Sequence, residues 1–299
     1  MLRAFELHRP ATVSEAATLL AERPDAALYA GGTELLLLMK AGLARPADLI
    51  DVKRIPDLGA LVDGPGGLAI GATVTHRTLE RSPAVREHWP LVARVAAHVA
   101  NVRVRNVGTV GGNLAFADPH SDLATLFLLF DATVRLASAA GPREVALADF
   151  VRGPYETARR ADELLAGVHL RQWPLGTAGV YVKFGLQERP SLGLALALTL
   201  EGTRVSRARL AVGCVGPRPH RVEAAERVLL GRALGTLGDV VDEIGALAAE
   251  AIDPVSDRHG GADYKRALVR VFWRRALLAL LTRFEGRPLE ARYPHAIVV

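Results

Sequence analysis

Two short strings in this 299-residue chain have the residue types needed to hold an anion: Gly31-Gly32-Thr33 and Gly111-Gly112-Asn113. Each is a glycine pair followed by a small polar residue, standing between apolar segments. Glycine has no Cβ, so its N–H can approach a phosphate closely, and consecutive amides form an anion-binding nest. A following Thr or Asn adds a side-chain donor, and a helix starting just afterwards adds its dipole. Two such loops can grip the two phosphates of one dinucleotide. Glycine pairs are also ordinary turn signals. With 28 glycines, about two or three pairs arise by chance, and the chain has four. On local physics alone, phosphate loops and plain turns both stand.

Other chemistry is excluded more firmly. No GxxxxGK[ST], HExxH or GxSxG string occurs. One GxGxxA string, Gly64 to Ala69, contains a proline and precedes a strand pattern, so it reads as a hairpin turn. His88 and His98 lie on one helical pattern and read as surface or packing residues. The lone Cys214 excludes a disulfide framework, and any iron–sulfur cluster or Cys-based zinc site made by this chain alone. Net charge is +5, yet only Lys40, Lys53, Lys183 and Lys265 are lysines, the arginines are scattered, and aromatics are 5%. That is a poor footprint for nucleic acid. The longest stretch without a charged residue, Gly64 to His76, falls short of the about 20 residues a membrane span needs. The N-terminal MLRAFELHRP lacks a signal-peptide apolar run. With one thiol, the chain reads as cytoplasmic.

The loops need elements to position them. Thr12-Val-Ser-Glu15 resembles a capping box and opens a helix through Leu20. Ala26 to Ala30 reads as a short buried strand running into the first glycine pair, with a helix starting over Leu35 to Met39. Leu68 to Thr75 reads as a strand, Val85 to Ala100 as one helix and Thr109 to Asn113 as a loop. Leu123 to Phe130 is apolar on all sides and reads as a buried helix. Thr133 to Leu136 and Glu163 to Leu170 read as strands. After Trp173-Pro174 the pattern changes. Leu175 to Ala178 is a linker, and Val180 to Phe184, Leu192 to Leu200 and Arg209 to Val215 are successive strands. Val222 to Leu230 and Leu237 to Ala249 are helices. Tyr264, Leu268, Val271, Phe272, Leu278 and Leu281 mark the face of a long amphipathic helix. The expectation is an α+β chain in two domains, 1–174 and 178–286, the second an antiparallel sheet packed on helices.

Longer strings are more telling. They are Ala30-Gly-Gly-Thr-Glu-Leu35 with Leu49-Ile-Asp51, Ile70-Gly-Ala-Thr-Val-Thr75, and Arg105-Asn-Val-Gly-Thr-Val-Gly-Gly-Asn113 followed by Ala117-Asp-Pro-His-Ser-Asp122. In this order the chain resembles the FAD-binding medium subunit of molybdenum hydroxylases, the group of aerobic carbon monoxide dehydrogenase and xanthine dehydrogenase. Tyr181-Val-Lys183 and Asp263-Tyr-Lys-Arg266 resemble that family's small C-terminal domain. The resemblance implies a two-part FAD-binding domain of the vanillyl-alcohol-oxidase (PCMH) type. Leu28, Tyr29, Ala30, Gly31, Gly32, Thr33, Glu34 and Leu35 would form the first FAD loop, wrapping the pyrophosphate with the amides of Ala30 to Glu34. Thr109, Gly111, Gly112 and Asn113 would form the second. Asp122 matches a family carboxylate that contacts the cofactor, and is also placed to N-cap the helix that follows. Leu165 matches a residue packing near the flavin, and equally suits a core strand. Lys183 matches a lysine near the cofactor, where a cation would favour reduced, anionic flavin, and also suits a solvated strand position.

The stretch from Phe184 to Leu192 departs from the family's Arg-rich, Asp-containing pattern, keeping only Glu188 and Arg189. The single cysteine excludes the branch that inserts a cluster-binding loop. The implied function is an electron-transfer subunit: a molybdopterin large subunit oxidises the substrate, a small subunit carries [2Fe–2S] clusters, and this chain passes electrons to an external acceptor. The implied assembly is a dimer of heterotrimers. A stand-alone FAD oxidoreductase and a flavin-free assembly module are the competing readings.

Overall fold

The computed structural model describes residues 2–185, 189–287 and 296–298. Strand β1 (Glu6–His8) leads to helix α1 (Val13–Glu22), whose start is the expected capping box. Thr12 accepts the Glu15 N–H, and the Glu15 carboxylate reaches back to the Ala11 N–H. β2 (Ala27–Tyr29), α2 (Leu35–Ala41) and β3 (Asp48–Asp51) follow, and β1, β3 and β2 form a small parallel sheet in that order. β2 is an edge strand with all three residues half-buried, so the buried strand expected at 26–30 is shorter and more open. Its C-terminal end delivers the first glycine pair to the surface.

β4 (Leu61–Gly64) and β5 (Gly67–Gly71) form the hairpin expected around Gly64 to Ala69. Helices α3 (His76–Arg81), α4 (Pro83–His88), α5 (Pro90–Ala97), α6 (Val102–Val107), α7 (Val110–Phe116) and α8 (Asp122–Phe127) come next. The single helix expected over Val85 to Ala100 is broken at Trp89, because Pro90 has no N–H to continue α4 and instead opens α5. The expected helix over Leu123 to Phe130 is α8 plus a 3₁₀ turn at Leu128–Phe130, stopped by Asp131 in the left-handed region at φ 44°. β6 (Thr133–Ser138), β7 (Gly141–Ala146), α9 (Leu147–Phe150), the small β8–β9 hairpin (Val151–Gly153, Glu156–Thr157) and β10 (Leu164–Arg171) complete this part. Its antiparallel sheet runs β4-β5-β10-β6-β7.

The second antiparallel sheet runs β14-β13-β12-β11-β15, from β11 (Thr177–Phe184), β12 (Leu192–Glu201), β13 (Arg204–Gly213), β14 (His220–Arg221) and β15 (Ala296–Val298). It begins at Thr177, inside the stretch expected as a linker. Helices α10 (Glu223–Leu229), α11 (Val241–Ala251) and α12 (Ala262–Phe284) cover one face. On β12 the period of two separates sizes as well as faces. Leu192, Leu194, Leu196 and Leu198 point into the core shared with α12, while Gly193, Ala195 and Ala197 turn toward the N-terminal half. Small residues are needed there because α8 lies close. A Cβ at Gly213 would stand 1.9 Å from Thr125 Oγ1 of α8. Around this seam Asp131 draws in Arg207, Arg209 and Arg221 at 2.5, 3.1 and 3.2 Å.

The stripe expected on α12 is corrected. Tyr264, Val271 and Leu278 are exposed, and the buried face is Leu268, Val269, Phe272, Trp273, Ala276, Leu277 and Leu280. Tyr264, Val271 and Leu278, seven residues apart, share one stripe of the helix, and that stripe is the exposed one. No helix among the described residues is long and apolar enough to cross a membrane.

Candidate functional site: a cleft between two glycine loops

The two glycine strings meet. A Cβ added to Gly31 would lie 2.1 Å from the Val107 carbonyl oxygen and 2.9 Å from Gly108 Cα, so the first loop rests backbone-to-backbone on the segment leading into the second. Gly32 takes φ +71°, a conformation that disfavours residues with a Cβ. Gly111 sits against Ala72, whose Cα and oxygen would both be 2.7 Å from an added Cβ. Between these loops opens a cleft of about 640 Å³, within the range of cofactor sites.

Most of the residues singled out from sequence line it: Leu28, Ala30, Gly31, Gly32, Thr33, Glu34, Leu35, Thr109, Gly111, Gly112, Asn113, Asp122 and Leu165. Tyr29 and Lys183 do not. The Tyr29 ring carries the Lys53 ammonium 3.6 Å over its face. The Lys183 ammonium is tied to Asp122 Oδ2 at 2.6 Å and to the His98 carbonyl at 2.8 Å.

The loops are not equivalent, and this corrects the expectation of two amide nests. In the first, the N–H groups of Gly31, Gly32, Thr33 and Glu34 have no acceptor among the described residues, a run of free donors. In the second, the string expected as a loop is the first turn of α7. Gly111 N–H donates to Ala72 O at 2.9 Å, Gly112 N–H to its N-cap Thr109 Oγ1 at 3.0 Å, and Asn113 N–H to Thr109 O at 2.9 Å. Those amides are spent on the fold. The second loop instead offers the bare, exposed surface of Gly112 and the Asn113 side chain, whose Oδ1 accepts from Ser121 Oγ at 2.7 Å.

Asp122 is 5% exposed, at the first turn of α8. It does not cap that helix; Ser121 does, through its hydroxyl to the Ala124 N–H. Burial pushes the Asp122 carboxyl upward, against the pull of the Lys183 ammonium and the Tyr181 hydroxyl. Leu165 is a core strand residue that also reaches the cleft wall. At the mouth, Arg189 pairs with Asp118 at 3.0 Å and with Glu34 at 3.6 Å. Burial raises the Glu34 carboxyl, with Arg189 opposing.

Sequence reasoning passed over His76, Asp118, His120, Ser121 and Arg159, and noted Arg189 without giving it a role. Asp118, His120 and Ser121 lay inside the quoted string ending at Asp122, and His76 directly follows the one ending at Thr75. His76 is 2% exposed, lines the cleft, and its Nδ1 has no hydrogen-bond partner among the described residues. Burial, with Arg105 adding to it, holds its pKa down to about 4. The folded chain therefore refuses a proton that the unfolded chain accepts. Stability is full above the ordinary histidine range and falls by about 3 kcal/mol as the pH drops from there to about 4. A His76→Gln variant is expected to lack that part of the acid loss in urea unfolding measured across the same window; parallel curves would show that His76 does not titrate this way.

The family assignment rests on comparison with known proteins. Residues 3–173 match the model described as FAD binding domain in molybdopterin dehydrogenase, and residues 188–280 match the CO dehydrogenase flavoprotein C-terminal domain. The chain belongs to the molybdopterin-dehydrogenase flavoprotein family. This flavoprotein chain is 34% identical to the carbon monoxide dehydrogenase medium chain of Hydrogenophaga pseudoflava, over 93% of its own length and 98% of that protein's. It is 33% identical to the nicotine 6-hydroxylase medium subunit of Paenarthrobacter nicotinovorans, over 93% and 97%. The solved carbon monoxide dehydrogenase of H. pseudoflava superposes with a TM-score of 0.90 at 35% identity, covering 95% of this chain and 99% of the other. The flavoprotein is thus an oxidoreductase component of α+β fold, and FAD is its cofactor.

The cleft suits that cofactor on its own evidence. The free amides from Gly31 to Glu34 match a pyrophosphate, and Gly31 and Gly111 let the backbones that frame the cleft pack closely. His76 Nδ1 is a buried polar atom still lacking a partner.

Proposed function

We propose that this chain is the electron-transfer subunit of a molybdenum hydroxylase. It would hold FAD in the cleft, take electrons from a small subunit carrying [2Fe–2S] clusters beside a molybdopterin large subunit, and deliver them to an external acceptor. A dimer of heterotrimers is the assembly that goes with this reading. The observation that carries it is the run of unpaired amides from Gly31 to Glu34 lining the cleft, in a chain of this family.

The chain's residues bind and orient. The Gly31 to Glu34 amides would hold the pyrophosphate, Gly112 would leave room for the dinucleotide beside α7, and Leu165 would form part of the apolar wall. Asp122 would accept a hydrogen bond from the cofactor, and Lys183 would act through Asp122, to which it is paired. When bound, FAD supplies the redox chemistry, exchanging electrons singly or in pairs. The absence of GxSxG, HExxH and Walker strings agrees with a chain that needs no protein nucleophile of its own. The relatives named as medium chains of multi-subunit enzymes support the partners.

The test is affinity isolation of the tagged chain from its own cells. Co-isolation of iron, acid-labile sulfide and molybdenum in fixed ratio to flavin is the expected result. A yellow protein isolated alone, oxidising a small substrate without those metals, would instead establish the stand-alone oxidoreductase.

A further inference from the structure

We infer that Tyr181 is a positioning residue of the cleft: its hydroxyl, donated to Asp122 Oδ1, fixes the carboxylate as an ionised acceptor for a ring N–H or a polyol hydroxyl of the bound dinucleotide. The inference rests on the flavin reading above and goes beyond it by assigning a residue that does not touch the cleft.

Tyr181 and Lys183 are two apart on β11, so they share a face of the strand, and that face meets α8. Tyr181 Oη lies 2.8 Å from Asp122 Oδ1 and Lys183 Nζ 2.6 Å from Oδ2. The two donors take different oxygens, so together they set the plane of the carboxyl group, which one flexible ammonium alone does not do. Asp122 itself lines the cleft. The fold makes room for the hydroxyl: Gly193 of β12 stands beside it, and a Cβ there would come within 2.4 Å of Tyr181 Oη. Tyr181 is fully buried, and a buried phenol needs an acceptor, which Asp122 supplies.

The groups facing Asp122 come from every neighbouring element. Tyr181 and Lys183 are on β11, and Thr125 lies one turn along α8. His98 follows α5, and Cys214, which faces Asp122 and also Asp118, follows β13. Burial and the nearby Asp122 charge hold the Tyr181 hydroxyl and the Cys214 thiol protonated. Tyr181 is therefore held as a donor to Asp122. Removing its hydroxyl deprives the ionised carboxyl of one stabilising hydrogen bond and moves Asp122 protonation to higher pH.

The experiment is an FAD titration of the full chain from acid to alkaline pH, in wild type, Tyr181→Phe, Asp122→Asn and the double variant. In Tyr181→Phe, affinity is expected to be about tenfold weaker at mildly acidic pH, to rejoin wild type at alkaline pH, and to show its inflection at higher pH. Asp122→Asn is expected to remove the inflection in both backgrounds. Uniform weakening across pH, or a profile superposable on wild type, overturns the inference while leaving the flavin reading intact. Wild-type chain that takes up no FAD, alone or in its complex, overturns both. If Tyr181→Phe does not fold, site-specific fluorotyrosine at 181 keeps the shape and strengthens the donor; the inflection must then move to lower pH, and an unmoved inflection overturns the inference.

Discussion

Gly31→Ala is expected to lower FAD affinity at least about a hundredfold, equivalent to about 2.7 kcal/mol. The new methyl carbon would sit 2.1 Å from the Val107 carbonyl oxygen and 2.9 Å from Gly108 Cα. Both are backbone atoms, so no side chain can swing away. Relief comes only if the first loop lifts off the second by about an ångström, a displacement large enough to misalign a preorganised site. The amides from Gly31 to Glu34 then lose their common aim. Gly66→Ala is the matched control, because a Cβ there meets nothing within 4 Å. Flavin fluorescence titration of the two variants decides the matter. Equal, wild-type affinity in Gly31→Ala would show that the loop contact does not shape the site.

Lys183→Met is expected to cost about 3 to 5 kcal/mol of stability, read from the urea midpoint. Its ammonium is the counter-charge to a carboxylate that is 5% exposed. Deleting one member of such a pair leaves the other stranded, which costs more than the pair ever contributed. Two further readouts separate this from a simple packing loss. First, Asp122→Asn introduced into Lys183→Met should recover most of the lost stability, because the stranded charge is then gone. Second, the pH dependence has a definite sign. Burial already pushes the Asp122 carboxyl above its ordinary value, and removing the ammonium pushes it further. The folded variant then keeps a proton that the unfolded chain releases, so its stability should fall as pH rises from the ordinary carboxylate range. No recovery in the double variant would show that the pair is not the source of the loss.

Much of this architecture was readable from residues, and the failures have physical causes. The β12 strand was visible as a leucine run. Its Leu–small alternation also reports a helix pressed against one face, as Gly193, Ala195 and Ala197 show once α8 is in place. The break at Trp89 was legible in Pro90, but the apolar periodicity on both sides masked it. The α12 face was misread because apolar Tyr264, Val271 and Leu278 share an exposed stripe, while the expected Leu268 and Phe272 belong to the buried one. The two glycine strings singled out from sequence frame one cleft, and the resemblance suggested a role for them. What sequence did not carry was the state of their amides. The acceptor of the Gly111 N–H is the carbonyl of Ala72, far away in the chain, and the emptiness of the first loop is equally a tertiary fact. Likewise Asp122 and Lys183 were both singled out, but their pairing with each other, and the share of Tyr181 in it, follows from β11 crossing α8.

The most direct measurement is the absorption spectrum of the purified chain before and after incubation with FAD and desalting, followed by the same measurement on its assembled complex. One retained flavin per chain, lost in Gly31→Ala and kept in Gly66→Ala, is the expected result. A chain that retains no flavin in either form would contradict the assignment of the cleft.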